Sequence, residues 1–126
     1  MNIFLISDKK FEDKLPIIKF NLHKLKKDTT LPTFQLGKTS NYINKDKEVL
    51  SKDLKLLEKT DAILLCNFKD KNTINNISSK LIMYACVAFH LNKQIFLLYD
   101  LPKRKNLREI KALEPICLEG NLKNLK

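Results

Sequence analysis

Three short stretches of apolar residues, Ile3-Phe4-Leu5-Ile6, Ala62-Ile63-Leu64-Leu65-Cys66 and the run from Gln94 to Tyr99, constrain the fold of this chain more than any other feature. A strand with one face in water alternates apolar and polar side chains, whereas a continuously apolar strand is covered on both faces. Helical periodicity fills the intervals. Leu15, Ile18, Leu22 and Leu25 predict one helix, with Pro16 in its first turn where a missing N–H costs little. Leu50, Leu54 and Leu57 predict a second over 46–60, and Ile77, Leu81, Tyr84, Ala85 and Ala88 a third over 77–91 that ends at Asn92-Lys93. A short fourth helix is expected over 106–113. Weaker strands are expected over 30–34, where Pro32 favours an edge or a loop, and over 115–118. The segments 36–44 and 67–76 read as loops.

Strands alternating with helices specify an α/β domain, and parallel strands need right-handed crossovers. The expected architecture is one doubly wound, five-stranded parallel sheet of flavodoxin/Rossmann-like order 2-1-3-4-5. With 126 residues there is room for a single domain over 1–126. In such sheets ligands bind beyond the carboxyl ends of the strands, at the switch point between the first and third. That rule selects Ser7, Asp8, Asn67, Asp70 and Asp100 as candidate ligand-binding residues.

Charge narrows the function classes. The chain carries 24 Lys plus Arg against 14 Asp plus Glu, a formal net charge of +10. Such an excess draws proteins to nucleic acid or anionic surfaces, but only Arg104 and Arg108 are arginines, and the lysines are scattered from Lys9 to Lys126. Nucleic-acid sites lean on Arg for bidentate contacts, so a solvated lysine surface is the expectation and a nucleic-acid partner the lesser one. Lys103-Arg104-Lys105 is the densest basic cluster, in a loop expected near the carboxyl edge. Cys66, Cys86 and Cys117 lie inside apolar runs without CxxC or zinc spacing, which predicts buried, reduced thiols and no metal. His23 and His90 have no partners at a catalytic spacing and are expected at or near the surface. No cofactor motif is present. No run reaches the ~18 apolar residues of a membrane span, and the N-terminus lacks the pattern of a signal peptide. A cytoplasmic protein is expected.

The middle of the chain carries the chemistry. Asp53 and Asp61 stand eight residues apart in Asp53-Leu54-Lys55-Leu56-Leu57-Glu58-Lys59-Thr60-Asp61, one on the second helix and one at the mouth of the third strand. Asp61 reads as a residue at the start of that strand, while Asp53 is placed to face the ligand crevice. Together with Ile3 to Phe11, the pattern Asp53 to Asn67, the stretch from Ile77 to Phe96 with its ending Ala85-Cys86-Val87-Ala88-Phe89-His90-Leu91-Asn92-Lys93-Gln94-Ile95-Phe96, and the tail Glu109 to Leu122, this order resembles the nucleoside 2-deoxyribosyltransferase superfamily, which includes the deoxynucleoside-monophosphate N-glycosidases.

The resemblance implies cleavage or transfer at the N-glycosidic bond of a deoxynucleoside, with a glutamate on the third helix attacking the anomeric carbon. A carboxylate suits that task because it stabilises and traps an oxocarbenium-like centre. It also implies that Asp53 holds the substrate and assists proton transfer, and that subunits meet near the site. The chain departs from the family where this chemistry is done. Nine residues before Lys93, where the resemblance implies a glutamate, stands Tyr84; Lys80 and Leu81 stand where Gly or Asn and Thr belong, Ser78-Ser79 replace a glycine pair, and Ser7-Asp8 replace the Gly-Ser of the first turn. Only Gly37 and Gly120 are glycines, so a backbone cradle for phosphate is hard to build.

The candidate catalytic pair is therefore Asp53 with Tyr84, and Ser7, Asp8, Phe11, Asn67, Asp70, Ser79 and Asp100 are the candidate ligand-binding residues. The leading expectation is a deoxyribosyltransferase-like protein without the family's catalysis that binds a nucleoside, a nucleotide or a protein partner, a second copy of itself included. The alternatives are a deviant deoxynucleoside N-glycosidase or deoxyribosyltransferase, and a basic nucleic-acid-binding module.

Overall fold

The computed structural model describes residues 1–33, 42–68, 77–101 and 107–125. The strands are β1 (Asn2–Ile6), β2 (Asp28–Thr30), β3 (Ala62–Leu65), β4 (Gln94–Leu97) and β5 (Ile116–Cys117), and the helices are α1 (Leu15–Lys24), α2 (Tyr42–Glu58), α3 (Ser79–His90) and α4 (Arg108–Ala112). All pairings are parallel and the strand order is β2-β1-β3-β4-β5. This is the doubly wound α/β architecture expected from the apolar runs.

The strand residues divide between two cores by the alternation of their side chains. Phe4, Ile6, Ile63, Leu65, Ile95 and Leu97 face α2, α3 and α4, where they meet Leu57, Leu81, Tyr84, Ala85 and Ile110. Ile3, Leu5, Leu64, Phe96 and Leu98 face α1 and the C-terminal segment, where they meet Leu15, Leu22, Leu118 and Leu125. Both sheet faces are thus covered, which is why the strands read as unbroken apolar runs. Among the described residues α1 is the one α-helix on this second face. A short 3₁₀ turn, Leu122–Asn124, closes it.

Several boundaries differ from expectation for local reasons. β2 lies at 28–30 instead of 30–34, because Lys26 at φ 60° reverses the chain after α1 and Pro32 offers no N–H to a ladder. A 3₁₀ helix, Lys9–Lys14, precedes α1. α2 already begins at Tyr42, inside the expected loop, and α3 begins at Ser79 because Ser78 caps it, its hydroxyl accepting the Leu81 N–H at 3.3 Å. The expected loop residues 36–41, Asp70 and the Lys103-Arg104-Lys105 cluster lie outside the described residues. Among the described residues no helix is long and apolar enough to cross a membrane.

The cysteines correct one expectation. Cys66 is buried at the end of β3, but Cys86 is exposed on α3 and Cys117 is half-buried. Burial pushes the Cys66 thiol from an ordinary 9.0 up to about 12. Because the folded value is the higher one, the stabilisation is whole below pH 9 and is lost as pH rises from there toward 12, at up to ~1.4 kcal/mol per pH unit. We expect Cys66→Ala to flatten the alkaline fall of the urea midpoint, even though it lowers that midpoint at pH 7. In native protein a thiol reagent should label Cys86 first and Cys66 only on unfolding. Early labelling of Cys66 would contradict the buried thiol.

Candidate functional site

Two corners of the molecule bring the sequence candidates together. The first is where β1 ends. Ser7 is buried and its hydroxyl donates to the Asp8 carbonyl at 3.0 Å. The Asp8 carboxylate accepts a hydrogen bond from the hydroxyl of Ser78, the cap of α3. A carboxylate at the positive end of a helix is electrostatically favoured, and Asp8 supplies one from within the chain.

The second corner joins α2 to α3. Leu50, Leu54 and Leu57 form the inward stripe of α2, and Asp53 falls inside that stripe at helical spacing, so the helix that buries its leucines carries the carboxylate in with them. Asp53 is 2% exposed. Its Oδ1 accepts the Thr33 N–H at 2.6 Å and its Oδ2 accepts the Tyr84 hydroxyl at 3.3 Å. Tyr84 reaches Asp53 because its ring stacks on Phe4 of β1, with centroids 6.2 Å apart and planes at 26°. Burial and then the Asp53 carboxylate, through its charge and the hydrogen bond, raise the Tyr84 phenol well above its ordinary 10.0. The phenol is therefore neutral and directed at Asp53.

A cleft of about 430 Å³ opens beside this pair, bounded by Lys9 and Glu12 of the first turn, Asp53 of α2, and Lys80, Met83 and Tyr84 of α3. Its volume lies in the usual range of small-molecule sites, roughly 300–1,000 Å³. Across the mouth the Lys80 ammonium stands 3.6 Å from Glu12 Oε1. Burial raises the Glu12 carboxyl above its ordinary 4.5; Lys80 and Lys9 oppose this, and the Asp53 charge adds to it. The cleft thus holds two carboxyl groups of unequal environment, a neutral phenol and two ammonium groups.

The other candidates lie elsewhere. Asn67 is buried, its amide donating to the Tyr99 carbonyl at 2.8 Å and its oxygen accepting the Tyr99 N–H at 2.9 Å, so both ends serve the junction between β3 and β4. Phe11 packs against Phe68, with centroids 5.5 Å apart, on the α1 side of the sheet. Ser79 is exposed in the first turn of α3. Asp100 is exposed, accepts the Leu101 N–H at 2.9 Å, and borders a separate hollow with Leu97, Lys111 and Cys117. Asp61 accepts the Asn2 N–H at 2.8 Å at the opposite, amino end of the sheet. His23 and His90 are exposed. Among the described residues no three His, Cys, Asp or Glu side chains converge as metal ligands would.

Glu12 and its pairing with Lys80 were not singled out in the sequence. The available signal was position: Glu12 is the first acidic residue after Asp8 in the segment that leaves the carboxyl end of β1. Compared with known proteins, the chain matches no family model and no curated sequence.

Proposed function

We propose that the cleft beside Asp53 and Tyr84 binds a nucleoside or nucleotide and leaves its glycosidic bond intact. The observation that carries this reading is the Asp53–Tyr84 hydrogen bond on the cleft wall. Each oxygen of the carboxylate accepts one bond from the protein and keeps a lone pair for a hydroxyl or ring N–H of a ligand. Where glycoside chemistry would need a second carboxylate as nucleophile, the chain offers a phenol whose environment holds the proton on it. Lys9 and Lys80 give the cleft positive charge at its mouth, which accommodates an anionic as well as a neutral sugar derivative.

One further observation favours a second reading, residual N-glycoside hydrolysis. The half-buried Glu12 carboxyl, raised above its ordinary value, is a proton donor in the same cleft as Asp53.

The deciding experiment exposes the protein to a mixture of 2′-deoxynucleosides and their 5′-monophosphates, with Asp53→Asn alongside. At ligand near 100 Kd, binding to the folded form alone stabilises by about 2.7 kcal/mol, so a rise of several degrees in melting temperature is expected for the wild type and little for the variant. Chromatography of the same mixtures should show no free base. Base released by the wild type and lost in Glu12→Gln would replace the binding reading with the hydrolytic one. No shift with any member of the mixture together with no released base would overturn both.

A further inference from the structure

From Lys14 to Lys27 the chain carries five lysines, one histidine and no acidic residue. This segment spans α1 and the turn into β2, so the fold spreads its cations over the ~15 Å length of a ten-residue helix. Among the described residues Lys19, Lys24, Lys26 and Lys27 have no carboxylate partner. The Lys19 ammonium donates to the Thr29 carbonyl at 3.0 Å, and that of Lys24 stands 4.6 Å from the centre of the Phe20 ring. Like charges gathered in this way raise the local potential, and an anion is drawn to it.

Beside these cations lies a hollow of about 340 Å³, separate from the Asp53 cleft. Lys19, Phe20 and His23 of α1 border one side of it, and Lys27, Asp28 and Thr29 at the sheet edge border the other. Phe20 is 59% exposed. One face of its ring lies under Lys24, and the ring also borders the hollow.

We propose that this side of α1 binds a single strand of nucleic acid, with one base in the hollow against the Phe20 ring and the adjoining phosphates on Lys19, Lys24 and Lys27. A lone phosphate would leave the ring without a role, and a lone nucleotide would leave the cations toward both ends of the helix without one. Aromatic stacking beside cations holds strands without reading their sequence. Lysine suffices there as a point charge, whereas reading a duplex groove leans on arginine, and this segment has none. A duplex also keeps its bases stacked on one another, out of reach of Phe20. An anionic bilayer would take up the exposed Ile17 together with Phe20, but Ile17 does not border the hollow, so the concave surface selects the ring. The inference rests on the α1 surface alone and holds whatever the Asp53 cleft binds.

Fluorescence anisotropy of the full chain with a labelled oligothymidylate of about 15 nucleotides, between about 50 and 200 mM salt, tests it. The expected result is binding that weakens as salt rises, with a duplex of the same length bound more weakly. Phe20→Ala should raise the dissociation constant roughly tenfold without changing the salt slope, and Phe20→Trp should restore it. Lys27→Gln should lower the logarithmic salt slope by about 0.7, the share of one phosphate on a single strand. Lys111→Gln removes the same charge from the exposed side of α4 and should leave the slope unaltered. Circular dichroism should be the same for all of these variants. No binding at the lower salt, a duplex bound as tightly as the strand, Phe20→Ala binding like the wild type, or displacement of the strand by equimolar thymidine monophosphate would each overturn the proposal. So would phosphatidylserine vesicles that capture the protein in preference to the oligonucleotide and lose it in Ile17→Ser.

Discussion

Tyr84→Ala is expected to lower the unfolding free energy by about 3–5 kcal/mol, the usual cost of deleting a large buried ring, with Tyr84→Phe costing about 1 kcal/mol. The ring is 2% exposed, stacks on Phe4 and belongs to the core that α3 forms with the sheet, so its removal leaves a cavity that Leu81 and Ala88, fixed on the same helix, cannot close. A domain of this size has about 5–15 kcal/mol in total, and the alanine variant should be partly unfolded at physiological temperature. The phenylalanine variant isolates the hydroxyl. At 3.3 Å its bond to Asp53 is long for an O–H···O contact, which places the loss below the ~1.5–3 kcal/mol usual for a bond to a charged group. Urea unfolding of Tyr84→Phe, Asp53→Leu and the double variant closes a cycle whose coupling energy should be about 1 kcal/mol. A coupling near zero would mean that the two groups do not bond in solution. Because the folded phenol is raised, its stabilisation is whole below pH 10 and is lost as pH rises from there. Tyr84→Phe should therefore remove part of the alkaline destabilisation.

Asn67→Ala is expected to cost about 2–4 kcal/mol. The side chain is 1% exposed and makes two hydrogen bonds to one main-chain unit, so truncation strands both the N–H and the carbonyl of Tyr99. Each such group costs about 1–3 kcal/mol when buried, and partial access of water at Tyr99 lowers the sum. Asn67→Asp offers a sharper test. It retains an acceptor for the Tyr99 N–H and sets the other oxygen against the Tyr99 carbonyl, which only a protonated carboxyl can satisfy. The folded state would raise the pKa of that carboxyl, so the variant should regain stability as pH falls through the raised value. Urea midpoints at pH 4 and pH 7 measure the difference. Equal losses at both would show that the pairing with Tyr99 is not what holds Asn67.

The apolar runs carried the sheet because a parallel strand covered on both sides leaves no polar position to confuse with a loop. β2 was hard to place for the opposite reason. Asp28, Thr29 and Thr30 lie at an edge, half-buried or exposed, and pair through the backbone and one polar contact, the Thr30 hydroxyl donating to the Asn2 side chain at 3.0 Å, which leaves no apolar pattern. Asp53 was legible as a carboxylate inside a leucine stripe, and its contact with Tyr84 followed once both helices lay on one face of the sheet. The Glu12–Lys80 pair joins residues 68 positions apart, and nothing in local pattern announces it. The sequence alone points Asn67 toward the ligand crevice, because polar residues at the carboxyl edge serve either ligands or neighbouring loops and its partner Tyr99 lies 32 residues on. The sequence alone predicts a buried Cys86, because the uncharged outward side of α3 has the composition of an inward one.

The order β2-β1-β3-β4-β5 has a consequence for how the chain is made. β1 leaves the ribosome before β2 to β5 and becomes an interior strand. β2 takes one of its sides, β3 the other, and β4 and β5 then each add to the margin left by the strand before. No newcomer has to force its way between two strands already joined. The sheet can therefore grow outward as synthesis proceeds, each addition sealing one raw edge and exposing the next, as far as β5, a two-residue margin too short to recruit another strand.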